Sequence, residues 1–217
     1  MSSTSIDNFT PCEISEMPFF FEMGLSLKKN IFMMGNPGVG KTAIVRQFLA
    51  DYAKKHKLTG NQTPKLITKV MSAMDRLDFM MQVANPETQL MEEYATSWVA
   101  ELSNEHNPDG PMTVLYLNEY NICSVPALKA VMLRLLGERE MGEFTLRDNV
   151  LIVADGNRPM RGTSAVDMDL PEKRRIITIN VVADREKWLG WAMDNGIHPY
   201  VTAFLQMPNH FQYLDNF

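Results

Sequence analysis

The chain has 217 residues, enough to bury one full core without disulfides or metals, and its net charge of -5 lacks the basic excess of sequence-independent nucleic-acid binding. Its two cysteines, Cys12 and Cys123, form neither a CxxC pair nor a framework, which suits a reducing cytosol and offers no zinc site. No uncharged apolar run reaches the roughly 18 residues of a membrane span, and "MSSTSIDNFTPCEISEM" lacks the basic-then-apolar order of a secretory signal, so a soluble, cytoplasmic protein is expected.

Residues 1–12, rich in Ser and Thr, read as a disordered lead. "EISEMPFFFEMGLSLKKN" predicts a helical stretch interrupted at Pro18, and "IFMMG" a short strand ending in glycine. In "KTAIVRQFLADYAKKHK", Ile44, Val45, Phe48, Leu49 and Tyr52 recur at helical spacing, with lysines in the last turn where they suit the helix dipole. Further strands are expected at "KLITKV" (65–70), "MTVLYL" (112–117), "VLIVA" (150–154) and "IITINVV" (176–182), with helical patterns between several of them. Short apolar runs separated by helices indicate an α/β domain whose parallel sheet is covered on both faces. The 17 methionines are scattered through apolar segments and read as flexible core filler.

Directly after the first of the long strands comes "GNPGVGKT": Gly35, Asn36, Pro37, Gly38, Val39, Gly40, Lys41 and Thr42. It fits G-x-x-x-x-G-K-[ST] in a strand, loop, helix setting. The glycines let main-chain N–H groups turn inward around phosphate oxygens, and the helix start adds a positive dipole end. Lys41 is placed to reach the β- and γ-phosphates, and Thr42 to give its hydroxyl to Mg²⁺.

The apolar strand "VLYL" ends in Asn118-Glu119, where Asp-Glu normally accompanies such a loop. Glu119 is the candidate for polarising the attacking water. Asn118, at the metal-side position, still offers one acceptor oxygen, but its NH₂ is a donor that cannot face Mg²⁺. Nucleotide binding survives that change and hydrolysis slows, because an outer-shell partner is worth roughly 10 to 100-fold in metal affinity or activity. Three readings stand: a naturally weak ATPase, an introduced Asp-to-Asn change that holds nucleotide, and a binder that no longer hydrolyses.

With these residues in place the sequence resembles the AAA+ ATPases, and within them the MoxR-like or dynein-related group, which includes many phage and bacterial proteins. "GNPGVGKT" looks like Walker A and "VLYLNEYN" like Walker B, and "VPALKAVMLRLLGEREMGEFTL" is similar to the following helix and pre-sensor hairpin. "VLIVADGNRPM" resembles the sensor 1 strand with Asn157 at the sensor position, while Asp155 reads as a turn residue of "DGN" rather than a metal ligand. A polar side chain at the carboxyl end of a buried strand can reach the γ-phosphate or its attacking water, so Asn157 fits that role on chemistry as well.

The resemblance implies a P-loop NTPase core of the AAA+ type over residues 13–183, with a central parallel five-stranded sheet flanked by helices. A short helical lid follows over 184–217, where "DREKWLGWAMDNG" sets Trp188, Leu189 and Ala192 on one face and Gly196 as a C-cap. The lid is expected to be truncated, without the sensor 2 arginine. It also implies ATP and Mg²⁺ as cofactors, a homo-oligomeric and hexameric ring, an unidentified protein substrate or adaptor, and a phage or bacterial origin. An arginine finger from a neighbouring subunit is expected at Arg174 or Arg175 in "LPEKRRII", with Arg134 and Arg139 as weaker alternatives. The loop around Met80 to Glu92, or the hairpin "EREMGEF", is expected to face a pore. Three classes stand on these residues: a ring ATPase that remodels a protein partner, a non-hydrolysing nucleotide-dependent assembly module, and a nucleic-acid motor. The net charge and the lack of a basic, aromatic-interleaved stretch weigh against the last.

Overall fold

The computed structural model of the chain describes residues 11–122, 126–158, 165–207 and 209–210. The lead up to residue 10 and Cys123 lie outside the described residues. Among the described residues ten strands and seven α-helices follow in order: β1 (Cys12–Glu13), α1 (Met17–Leu27), β2 (Asn30–Met34), α2 (Lys41–His56), β3 (Lys65–Val70), β4 (Met80–Asn85), β5 (Leu90–Ala95), α3 (Ser97–Leu102) and β6 (Thr113–Asn118), then α4 (Pro126–Glu138), β7 (Glu140–Met141), β8 (Phe144–Thr145), β9 (Val150–Gly156), α5 (Leu170–Lys173), β10 (Ile176–Val182), α6 (Arg185–Asp194) and α7 (Pro199–Gln206).

Five long strands and the two-residue β1 form one sheet in the order β1-β10-β2-β9-β6-β3, with every neighbouring pair parallel. All residues of β2 and β9 are buried, as the unbroken apolar runs of a doubly covered parallel sheet require. Strand alternation splits the core in two. Ile31, Met33, Val114, Tyr116, Leu151 and Val153 face α1 and α2, where they meet Phe21, Ile44, Val45 and Phe48. Phe32, Met34, Leu115, Leu117, Ile152 and Ala154 face the other way, onto Trp98, Leu102, Leu128, Met132 and Leu135 of α3 and α4.

After β2 the chain passes through α2 to the far edge strand β3, steps back through β6 and β9, and then crosses β2 to reach β10. Connections therefore diverge around β2, and its carboxyl end is a topological switch point, where open α/β sheets form a ligand crevice. The loop Gly35–Thr42 occupies that position.

Pro18 does not interrupt a helix as the sequence suggests. It sits in the first turn of a continuous α1, where a missing N–H removes no intrahelical bond. The stretch from Met80 to Glu92 is not a loop but the β4–β5 hairpin, a separate antiparallel pair whose tip is fixed by Asn85 Oδ1 accepting from the Glu87 N–H at 2.9 Å. At the carboxyl side, α6 closes as expected: Gly196 is left-handed at φ 69°, and the Ile197 N–H donates to the Ala192 carbonyl at 3.0 Å. Ala192 is buried, and Trp188 and Leu189 beside it are half-buried. Among the described residues no helix is long and apolar enough to cross a membrane.

Candidate functional site

The loop leaves β2 with its first residue still in the ladder, since the Gly35 N–H donates to the Gly156 carbonyl at 3.2 Å. Gly38 and Gly40 hold left-handed conformations, at φ 86° and 93°, which turn the chain into α2. A Cβ at Gly40 would meet nothing within 4 Å, so the space in front of the helix start is open. No side chain caps α2, so its first-turn N–H groups have no side-chain acceptor, the arrangement that suits an anion. Lys41 folds back over the loop, its Nζ donating to the carbonyls of Gly35 at 2.8 Å and Asn36 at 2.9 Å. Burial pushes the Lys41 ammonium pKa below its ordinary value, an effect that Asp155 partly offsets.

Beside the loop, β6 and β9 end together. Thr42 Oγ1 lies 3.3 Å from the Tyr116 hydroxyl, and the Asp155 charge on the neighbouring strand acts on that phenol. Asp155 Oδ1 accepts the Glu119 N–H at 2.8 Å. Polar groups are therefore grouped here, with Thr42 beside Tyr116 and Asp155 holding the residue after β6. Burial raises the Asp155 pKa, while the Glu119 N–H, Tyr116 and Lys41 each pull it back. The Tyr116 phenol is pushed up as well, by burial first and by the Asp155 charge second.

Asn118 closes β6, half-buried and on the same face as Val114 and Tyr116. Glu119 takes a left-handed conformation at φ 57°, and its Oε2 accepts from Ser72 Oγ at 2.8 Å. Asn157 is the first residue past β9, half-buried, and its carbonyl accepts Asn121 Nδ2 at 2.8 Å. The structure thus brings Lys41, Thr42, Asn118, Glu119 and Asn157 to one edge of the sheet.

It does not bring Arg174 and Arg175 there. Both are exposed at the amino end of β10, next to Asn30, so the length of β2, roughly 16 Å, separates them from the loop. Arg175 donates to the Pro171 carbonyl at 2.9 Å. Neither reaches the loop of its own chain. Arg134 pairs with Glu140 at 2.7 Å, and Arg139 caps the carbonyls of Arg147 and Val150 at 3.0 and 2.7 Å, which commits Arg139 to the fold.

Sequence reasoning missed Tyr116 and Ser72 and set Asp155 aside as a turn residue. Asp155 is not a turn residue: it is the sixth residue of β9, and its place two positions after Val153 puts it on the α2 side. That parity is the signal that could have found it. A phenol in an otherwise apolar strand was the corresponding signal for Tyr116; nothing local marks Ser72. Two surface grooves, of about 310 Å³ beside Arg76, Met80 and Arg134 and about 680 Å³ beside Gly60 and Asp109, lie away from this edge.

Comparison with protein-family models gives no match, and comparison with curated proteins gives none. A crystal structure from Cytophaga hutchinsonii ATCC 33406, titled as a "putative ATPase", is similar to this chain with a TM-score of 0.51 at 16% identity. The likeness covers 87% of this chain and 53% of that one, so the chain spans about half the length of the protein it matches. At that identity the likeness shows the fold: an α/β domain with a central parallel sheet flanked by helices.

Proposed function

We propose that the chain binds ATP with Mg²⁺ on Gly35–Thr42 and hydrolyses it slowly as an AAA+ ATPase, within a homo-oligomeric, hexameric ring that remodels or assembles a protein partner. One observation carries the reading: an uncapped helix start, an open glycine-lined space and a buried lysine meet at the switch point of the sheet. Lys41, now satisfied by two loop carbonyls, exchanges them for phosphate oxygens.

The donor set fits a hard cation. Thr42, Tyr116, Asp155 and Glu119 present oxygen, and among the described residues no cluster of three His, Cys, Asp or Glu side chains could hold a metal unaided. Mg²⁺ suits such a place, because it keeps several waters and takes one or two carboxylates plus phosphate oxygens. Thr42 and the side chains at the ends of β6 and β9 would hold it, and when bound it supplies charge neutralisation on the phosphates. Glu119 is held off by Ser72 and, once released, can polarise a water. Asn157 is positioned to orient that water or the γ-phosphate. Arg174 or Arg175 would act across a ring interface, where a cation offsets transition-state charge.

Calorimetry with ATP and ADP, with and without Mg²⁺, on wild-type and Lys41→Ala protein tests the reading. Binding is expected in the wild type and lost in the variant; a wild type that ignores both nucleotides refutes it. A second reading is favoured by Asn118: a module in which ATP acts as interface glue without turnover. It predicts mass in solution rising with ATP and Mg²⁺ while no phosphate is released.

A further inference from the structure

We propose that Asp155 supplies the metal-site carboxylate that Asn118 lacks, so that Mg²⁺ carried by a bound triphosphate is held, directly or through one of its waters, from β9 instead of β6. This rests on the nucleotide-binding reading of Gly35–Thr42.

The register makes the two positions neighbours. Leu117 pairs with Ala154 in the β6–β9 ladder, so the next step along both strands sets Asn118 beside Asp155. Both lie on the face of Val114, Tyr116, Leu151 and Val153, the face that carries α2 and its phosphate loop. The negative charge has thus moved sideways by one strand, about 4.8 Å, a distance that a metal-bound water can span.

The surroundings of Asp155 suit that role. Asp155 is 5% exposed, and among the described residues it has no ion pair within 4 Å. A buried carboxylate without a cation is expensive to keep unless something charged completes it. The Glu119 N–H takes part of its capacity, and an ionised carboxylate accepts at about four sites, so it can still accept from a metal-bound water. Tyr116, on the same face of the adjacent strand, lies within 3.3 Å of Thr42, the loop's own Mg²⁺ candidate, and the Lys41 charge is close enough to act on Asp155. Asn118 cannot substitute, because half of its amide is a donor. Asp155 also fixes the left-handed turn at Glu119, so the group that would sense the metal positions the group that would polarise water.

Asp155→Asn separates this role from turn-holding, since the amide oxygen still accepts the Glu119 N–H while the charge is gone. ATP affinity is measured by calorimetry in EDTA and in excess Mg²⁺, and Mn²⁺ binding to the ATP complex by the loss of its free electron-paramagnetic signal. In EDTA the variant is expected to bind ATP at least as well as wild type. With metal, it loses about 10 to 100-fold of the affinity gain, and Asn118→Asp/Asp155→Asn restores most of it. Asn118→Asp alone gains less than tenfold, since the site already has its carboxylate, and this variant decides the matter if Asp155→Asn fails to fold. The proposal is overturned by a wild-type affinity indifferent to Mg²⁺, by Asp155→Asn keeping the full metal gain, or by Asn118→Asp alone raising Mn²⁺ affinity tenfold or more. Failure of wild-type protein to bind ATP even in EDTA would instead remove the loop reading, and this one with it.

Discussion

Gly156→Ala should act on stability and on the site at once. Gly156 ends β9, and a Cβ built there would lie 2.1 Å from Asn121 Oδ1, 2.7 Å from its Cγ and 2.8 Å from Phe32 Cζ. Neither neighbour has room to retreat, with Asn121 6% and Phe32 1% exposed. Overpacking of this kind costs about 1–3 kcal/mol, and displacing Asn121 from the Asn157 carbonyl adds about 0.5–1.5 kcal/mol. A total of about 1.5–4.5 kcal/mol lowers Tm by roughly 3–18 °C in a protein of this size. Scanning calorimetry measures it directly. Asn121→Ala removes the obstacle, so Asn121→Ala/Gly156→Ala should be more stable than the two single losses sum to, by about 1 kcal/mol or more. A Tm for Gly156→Ala within about 1 °C of wild type would refute the reasoning, for it would mean that Asn121 moves aside freely and does not lock Asn157.

Lys41→Met should abolish thermal stabilisation by ATP. At 100 times Kd a ligand contributes about 2.7 kcal/mol, and losing roughly 4 kcal/mol of charge attraction weakens binding about a thousandfold, leaving under about 0.1 kcal/mol; a melt shift equal to wild type would contradict it. Glu119→Gln should cut single-turnover phosphate release by about 10²-fold or more while ATP affinity stays within about threefold, and unchanged release would remove Glu119 from the chemistry. Asp155→Asn should stabilise the nucleotide-free protein in a pH-dependent way. Burial raises the Asp155 pKa above its ordinary 3.8, so the native state holds the extra proton between those values and wild-type stability falls as pH rises across that window. The variant lacks this term, so its advantage in urea unfolding should be small at pH 4 and larger at pH 8, growing by at most about 1.4 kcal/mol per pH unit. An advantage equal at both pH values would show that Asp155 is not buried at a charge cost.

The amino-acid sequence by itself determined the five long strands, the helix after the phosphate loop and the loop itself. Each is written in contiguous residues: apolar runs such as "KLITKV" and "IITINVV" coincide with β3 and β10, and the α2 period places Ile44, Val45 and Phe48 in the core. Only the tertiary structure decided what stands beside what. Asp155 reads locally as part of a turn, and its place beside Asn118 depends on β9 lying next to β6 and on their register, a fact about segments some 36 residues apart. Ser72 reaches Glu119 across 47 positions for the same reason. The two arginines of "KRRII" end at the far edge of the sheet because β10 runs parallel to β2, which no local pattern states. Side-chain period and turn chemistry act over a few residues, whereas strand order and register come from how whole faces are buried against each other, and the site is assembled at that second level.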